Sequence, residues 1–97
     1  MPTFIGMLSW TDQGIRSLKD APKRVLAAKE AGKKFGVEVK QVFLTTGEFD
    51  MLSICEAANG DDVARFVMAI GAQGNMRTRT VRAWTEAEFG KLISELP

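Results

Sequence analysis

Alternating hydrophobic and polar positions dominate this sequence and predict four β-strands. The segments are rich in valine, isoleucine, threonine and aromatic residues, which favour an extended backbone. They cover residues 3–10, 37–46, 49–56 and 76–84. Only Gly47 and Glu48 separate the second segment from the third, so we expect these strands to pair as a hairpin through a tight turn.

In the segment between the first and second strands, apolar residues recur with the spacing of one helical face. Thr11 follows the first strand and begins a helical stretch, which Pro22 should break because proline cannot donate a backbone hydrogen bond. Asp20 is a suitable N-cap for the helix that restarts there. The hydrophobic face of this helix carries Val25, Ala28, Gly32 and Phe35, and Gly36 ends it.

Two further helices complete the predicted fold. Asn59-Gly60-Asp61 signals the start of one, which ends at Gly74. Thr85 and Glu88 have the spacing of a capping box, so a short last helix should follow. The order β-α-β-β-α-β plus a terminal helix predicts a single α+β domain over residues 1–97 with the ferredoxin-like fold. We expect a four-stranded antiparallel sheet in the order 4-1-3-2, with both main helices on one face.

The balance of charges argues against some partners. Thirteen basic and 12 acidic residues give a net charge of +1, which disfavours nucleic acid and anionic membranes as partners. The first residues contain neither the basic region of a signal peptide nor the long apolar run of a membrane span. The one cysteine, Cys55, rules out an intrachain disulfide and favours a reducing, cytoplasmic setting. Its place in an apolar strand predicts a small buried filler.

The absence of histidine limits cofactors and catalysis. Histidine is a usual ligand of haem and zinc and the commonest general base, and the sequence contains none. With a single cysteine as well, we expect no cofactor and no metal site. A magnesium or calcium site built from carboxylates alone stays open in principle.

Three sequence blocks together span nearly the whole chain. They are WTDQGI at 10–15 with KDAPKR at 19–24, TGEFD at 46–50, and GNMRT at 74–78 with RAWT at 82–85. In these residues and in their order the chain resembles the GYD-domain family, small and mostly bacterial proteins grouped with the dimeric α/β-barrel proteins. Phe49 stands where the family's name-giving tyrosine would be, so only a packing role of that ring carries over. The resemblance implies the same fold and an oligomer, and it implies no particular reaction.

The predicted topology gathers the same blocks at one end of the sheet, which we call the top end. Strand 1 finishes there, and strands 3 and 4 begin there. The residues brought together are Trp10, Asp12, Gln13, Glu48, Phe49, Asp50, Asn75 and Arg77. Polar groups beside aromatic rings are typical of a site for a small polar ligand, so these are the candidate ligand-binding residues.

Two interpretations of the top end stay open. The carboxylates of Asp12, Glu48 and Asp50 could raise one another's pKa for general acid–base chemistry, or they could hold a divalent cation. They could instead be structural, with Asp12 as an N-cap and Asp50 either accepting backbone hydrogen bonds or pairing with Arg77. The sequence identifies no catalytic residue.

Two helices cover only one face of the sheet, so the other, open face needs either a polar surface or a partner. Alternation places Phe43, Met51 and Ser53 on one side, and Val42, Leu44, Leu52 and Ile54 on the other. In strand 4, Arg77 and Arg79 share one side. Apolar residues on both sides of the sheet predict a homodimer or a higher closed oligomer that forms through the open face.

These features favour a small oligomeric domain that binds a ligand or regulates a partner without catalysis of its own. The alternative is a cofactor-independent enzyme, oxygenase-like or isomerase-like, that uses the top-end carboxylates. The missing histidine and tyrosine count against that alternative. RNA binding by the open sheet requires aromatic rings on the middle strands and a basic surface, which Phe43 alone in a nearly neutral chain does not supply.

Overall fold

Four strands form one antiparallel sheet in the structure, a computed structural model that describes residues 1–97. The strands are β1 (Thr3–Trp10), β2 (Val37–Leu44), β3 (Met51–Ala57) and β4 (Met76–Ala83). Neighbouring strands follow the order β2-β3-β1-β4, which is the predicted order 4-1-3-2 read from the other edge. The predicted α+β, ferredoxin-like fold is therefore confirmed.

Helices connect and follow these strands. They are α1 (Asp12–Arg16), α2 (Ala21–Lys34), α3 (Gly60–Ala72) and α4 (Glu86–Ser94), with a 3-10 turn at Leu18–Asp20. Pro22 lies in the first turn of α2, where its missing N–H is not needed, so the predicted restart is confirmed. Asp20 occupies the predicted N-cap position of α2, but its side chain makes no capping hydrogen bond. None of these helices has the length and apolar character that crossing a membrane requires.

Helix α4 begins with the capping box that the sequence predicts. Thr85 Oγ1 accepts a hydrogen bond from Glu88 N at 3.2 Å, and Glu88 Oε1 accepts one from Thr85 N at 2.8 Å. This backbone hydrogen bond lowers the pKa of the Glu88 carboxyl from its ordinary value. The helix buries none of its residues, and its apolar side chains Phe89, Leu92 and Ile93 are 58%, 47% and 52% exposed.

The hydrophobic core lies between the sheet and helices α2 and α3. Its buried side chains are Phe4, Val37, Cys55, Ala57, Val63 and Phe66. Paired residues of antiparallel strands point to the same face, so the pair of Phe4 and Cys55 marks the face that the helices cover. The predicted burial of Cys55 is confirmed, since this side chain is 8% exposed.

The hairpin of β2 and β3 closes with a loop over residues 45–50 instead of the predicted tight turn. Thr45 N donates to Asp50 O at 2.9 Å, and Thr45 Oγ1 donates to Phe49 O at 2.5 Å. Gly47 has a φ of +103°, a conformation that favours glycine. Because these hydrogen bonds organise the loop, β2 ends at Leu44 and β3 begins at Met51, each two residues inside the predicted limits.

A β-bulge in β2 decides which side chains face the helices. Val39 pairs with Cys55, but Gln41 pairs with Ile54, so the register shifts by one residue at Lys40. Side chains alternate between faces along a strand, and one extra residue therefore reverses the alternation that follows it.

The bulge corrects the faces predicted for the hairpin. Phe43 pairs with Leu52 on the open face, whereas Val42 pairs with Ser53 on the covered face. The predicted grouping of Phe43 with Met51 and Ser53 is therefore wrong. The apolar side chains of the open face are Ile5, Met7, Phe43, Leu52, Ile54 and Val81.

Candidate functional site

Parts of the three sequence blocks, at residues 10–13, 48–50 and 75–77, do meet at the top end of the sheet, whereas the RAWT segment at 82–85 lies at the opposite end of β4. Trp10 pairs with Met76 at the end of β1, and Thr11 N donates to Asn75 O at 3.1 Å. Asp50 N donates to Leu8 O at 2.9 Å, which ties the hairpin loop to the same region. Proximity of the blocks is thus a property of the fold, while a role of the candidate residues in ligand binding stays a prediction.

Hydrogen bonds join the start of α1 to the turn between α3 and β4. Thr11 Oγ1 donates to Gly74 O at 2.5 Å and accepts from Gly14 N at 3.2 Å. Gln13 Nε2 donates to Asn75 Oδ1 at 3.0 Å and to the backbone oxygen of Gln73 at 3.1 Å. The amide groups of Gln13 and Asn75 therefore bind each other and the backbone in the protomer.

Gly14 makes this junction sterically possible. A Cβ atom at position 14 would lie 2.2 Å from Asn75 O and 3.1 Å from the carbonyl carbon of the same residue. Both distances involve backbone atoms, which cannot swing aside as a flexible side chain can. The glycine in the first sequence block is accordingly a requirement for the close approach of α1 to the turn.

Asp50 fixes the end of β1. Its Oδ2 atom accepts a hydrogen bond from Trp10 N at 2.9 Å. Of the two structural roles that the sequence left open, backbone capping is the one found. The ion pairs of the protomer involve Glu30, Glu38 and Asp62 as acceptors, so the predicted alternative pair of Asp50 with Arg77 does not form.

Replacing Asp50 with alanine should lower the free energy of unfolding by about 1–3 kcal/mol, because Trp10 N loses its acceptor in a partly buried position. Replacing it with asparagine should cost less, since an amide oxygen can still accept. Urea denaturation at neutral pH measures both. Glu48→Ala is the matched control, because Glu48 is an exposed carboxylate in the same loop. Equal stability of Asp50→Ala and Glu48→Ala would contradict the capping role.

The sheet divides the candidate ligand-binding residues between its two faces. Trp10 and Asn75 line a cavity on the covered face. Glu48, Phe49 and Arg77 line an open depression on the other face. The two groups therefore line different openings of the protomer, which adjoin at Met76 and Thr78 of the edge strand β4. Topology alone places these residues at one end of the sheet but not on one side of it.

The top-end carboxylates do not form a cation site. The chain has no group of three or more aspartate, glutamate or cysteine side chains that could hold a metal ion. Thr11 is the N-cap of α1, so the predicted N-cap role of Asp12 is wrong, and Asp12 is exposed in the first turn. Glu48 is exposed in the loop, and Asp50 accepts from Trp10 N. The residues grouped by the sequence analysis thus have separate surroundings.

The cavity on the covered face has a volume of about 100 Å³ and lies between the sheet and helices α2 and α3. Most of the residues around it are apolar, among them Leu8, Val25, Ala28, Val42, Met51, Val67 and Ile70. Arg24 and Lys29 are the charged residues of its lining. Neither is among the candidate residues predicted from the sequence, although the two flank Val25 and Ala28 on the apolar stripe of α2.

Cys55 also lines this cavity, and burial raises the pKa of its thiol. The native state therefore favours the neutral thiol. The corresponding stability is fully present below the unfolded pKa of about 8.5 and is lost as pH rises through the higher folded pKa.

Alkaline pH should destabilise the protein more steeply when Cys55 is present. Urea denaturation at pH 7 and pH 10 measures the loss in the wild type and in Cys55→Ala. The variant should be less stable at pH 7, because it leaves a small void, but should lose less between the two pH values. Equal losses in both proteins would contradict a buried thiol.

The open face combines apolar side chains with separated charges. Phe43 and Val81 are 48% and 47% exposed. Arg77 and Arg79 on β4 are exposed and make no ion pair in the protomer. At the opposite corner Glu38 pairs directly with Glu56 across β2 and β3, an arrangement of like charges that destabilises a sheet.

Comparison with known proteins agrees with the family resemblance seen in the three sequence blocks. A family model described as GYD domain matches residues 4–93. A protein of Thermus thermophilus named glutamine synthetase and cystathionine beta-lyase binding protein is 32% identical to this chain over 90 residues. That similarity covers 92% of this chain and 95% of the Thermus protein.

Solved structures share the fold at lower sequence identity. The feast or famine regulatory protein of M. tuberculosis, complexed with L-methionine, has a TM-score of 0.66 and is 18% identical over 88% of this chain. This chain spans 51% of that protein, about half of its length. The structure of FFRP-DM1 has a TM-score of 0.62 and 21% identity, covering 87% of this chain and 100% of that one. At such identities the likeness establishes the fold alone.

Proposed function

This chain belongs to the GYD domain family, and from that premise we propose that it is a non-catalytic binding module that associates with itself and with metabolic enzymes. The observation that carries the proposal is the exposure of two separate apolar surfaces, the open face of the sheet and the apolar side of α4. The name of the Thermus relative supports the choice of partner, since it refers to the binding of two enzymes.

Self-association uses the open face in this proposal. Its apolar side chains are half-buried or exposed in the protomer, and a second copy would remove them from water. The basic corner with Arg77 and Arg79 lies diagonally across the face from the acidic corner with Glu38 and Glu56. A two-fold axis in the plane of the face, perpendicular to that diagonal, places the basic corner of each copy over the acidic corner of the other.

Charge complementarity also supports a second copy of this chain as the partner of the open face. Glu56 has no ion-pair partner in the protomer. Its cross-strand neighbour Glu38 forms an ion pair only with Lys40, whose Nζ lies 3.3 Å from Glu38 Oε1. The guanidinium groups of Arg77 and Arg79 lack partners as well. One contact between copies would pair these glutamate carboxylates with the arginine guanidinium groups and would fix the orientation of the dimer.

Enzyme binding uses α4 in this proposal. The apolar side of this helix carries Phe89, Leu92 and Ile93, which are 58%, 47% and 52% exposed, and Leu96, just after the helix, is 65% exposed. An amphipathic helix that leaves its apolar side in water is the element that docks into an apolar groove of a partner. The capping box of Thr85 and Glu88 satisfies two backbone donors at the start of this helix and so favours its formation.

Binding to purified enzymes tests the proposal directly. Glutamine synthetase and cystathionine beta-lyase from the organism that produces this chain are immobilised separately. Surface plasmon resonance then measures the binding of the purified chain to each enzyme. We expect saturable binding to at least one of them, and a loss of affinity of at least about tenfold for Ile93→Glu. Ala87→Glu on the same helix is the matched control, because Ala87 lies off the apolar stripe and is exposed.

Two results would overturn the proposed function. If the chain binds neither enzyme, these enzymes are not its partners. Equal binding by wild type and Ile93→Glu would remove α4 as the contact. Circular dichroism of each variant verifies that α4 and the rest of the fold are retained.

A further inference from the structure

The cavity on the covered face is a second potential site, on the opposite side of the sheet from the proposed dimer contact. We propose that it binds a short-chain carboxylate, a small molecule with an apolar body and one anionic group. This inference is independent of the proposed binding of enzymes. It rests on the volume of the cavity, the apolar character of its wall and the sign of the charges around it.

The volume sets the size of the ligand body. An engineered cavity of about 150 Å³ lined by aliphatic and aromatic side chains stays dry and binds benzene in another protein. The cavity described here has about 100 Å³, which corresponds to a body of about four to six carbon atoms. Its wall includes Leu8, Val42, Met51 and Ile70, so the part of the ligand inside should be a hydrocarbon.

The charges at the cavity select an anion. Arg24 and Lys29 line it, and no aspartate or glutamate does. The guanidinium of Arg24 donates only to uncharged acceptors, the backbone oxygens of Ser17 and Gly14 at 2.9 and 3.1 Å and Ser17 Oγ at 3.1 Å. Lys29 is half-buried and has no ion-pair partner in the protomer. A carboxylate at this position would neutralise a positive charge that the fold leaves uncompensated.

Lys29 provides the mobile half of this contact. A lysine side chain can lay its methylene groups along an apolar wall while its ammonium group stays near solvent. The carboxylate of the ligand would therefore lie at the rim, beside Lys29, and its hydrocarbon chain would extend inward toward Cys55. Arg24 adds a fixed positive field because its hydrogen bonds hold it to the end of α1 and the segment after it.

Hexanoate is the probe, and hexanamide is the neutral match of the same size. Backbone amide chemical shifts in a ¹H–¹⁵N titration should saturate with a dissociation constant on the order of 1 mM for hexanoate, since about five carbons are buried. Hexanamide should bind about fivefold more weakly, because it lacks the charge that Lys29 and Arg24 attract. Alkylation of Cys55 by iodoacetamide should slow in the presence of hexanoate.

Two neighbouring alanines of α2 provide a matched pair of variants. Ala28 lines the cavity, whereas Ala27 is exposed. Ala28→Leu fills the space and should abolish hexanoate binding, and Ala27→Leu should leave it unchanged. Lys29→Met should weaken hexanoate about fivefold and leave hexanamide unchanged, which keeps the proposal testable even if Ala28→Leu folds poorly.

Three outcomes would overturn the proposal. The first is the absence of saturation at about 20 mM hexanoate, about twenty times the expected constant. The second is undiminished binding to a folded Ala28→Leu variant, which would locate the ligand elsewhere. The third is equal affinity for hexanoate and hexanamide in the wild type, which would remove the anionic group from the definition of the ligand.

Discussion

Replacing Gly14 with alanine is expected to lower the free energy of unfolding by about 3 kcal/mol, because the added Cβ would make the closest contact found at any glycine of this chain. The added Cβ would lie 2.2 Å from Asn75 O, a distance that no backbone arrangement tolerates. To relieve the contact, α1 must move away from the turn between α3 and β4. That movement lengthens the hydrogen bond from Thr11 N to Asn75 O, now 3.1 Å, and the bond from Gln13 to Asn75.

Urea denaturation followed by circular dichroism measures this effect. Gly71→Ala is the control, because a Cβ on this helical glycine meets no atom within 4 Å. The control should be more stable than the wild type by about 0.5–1 kcal/mol, since alanine favours helix over glycine. A Gly14→Ala variant as stable as the wild type would show that the junction of α1 with Asn75 contributes little to the fold.

Reversing a charge on the open face is expected to raise the dissociation constant of the homodimer about 100-fold. In the proposed dimer Arg79 of one copy faces Glu56 of the other, and the two-fold axis repeats the contact. Arg79→Glu therefore creates two pairs of like charges, each of which is costly at an interface. Glu56→Arg should weaken the dimer similarly while relieving the like-charge pairing with Glu38 in the protomer.

The doubly substituted protein provides the decisive comparison. Combining Arg79→Glu with Glu56→Arg restores opposite charges at both contacts, so the dissociation constant should return to within about tenfold of the wild type. Sedimentation velocity over a range of concentrations measures all four proteins. Lys23→Glu, an exposed change on α2, controls for net charge. A monomeric wild type at micromolar concentration, or a double variant as weak as its single parents, would contradict this dimer.

Local features of the fold could be predicted from the sequence because their causes lie within a few residues. Thr85 and Glu88 form the predicted capping box, whose two hydrogen bonds span three positions. Gly36 and Gly74 have φ values of +78° and +86° at the helix ends where the sequence requires such residues. The order of strands also followed, because short connections and right-handed crossovers leave few topologies.

The candidate site was predicted less completely. The sequence correctly brings Trp10, Asp50 and Asn75 to one end of the sheet, because topology sets the end at which each strand begins. It does not reveal that Asp50 accepts from Trp10 N, or that Trp10 and Arg77 lie on opposite faces. Arg24, although part of the first sequence block, and Lys29 were not predicted as site residues, because basic residues on a helix are ordinary until the cavity wall beside them is known.

Sequence patterns are sufficient to predict the strands, the helices, their order and the end of the sheet where residues 10–13, 48–50 and 75–77 meet. The bulge at Lys40, the placement of Phe43 on the open face and the cavity beneath α2 and α3 are visible only in the folded chain. The difference comes from the range of the interactions involved. Capping, helical periodicity and turn conformation depend on neighbouring residues. Strand register and packing depend on contacts between segments that are distant in the chain. One inserted residue in a strand, such as Lys40 in β2, changes the facing of every side chain that follows it in that strand.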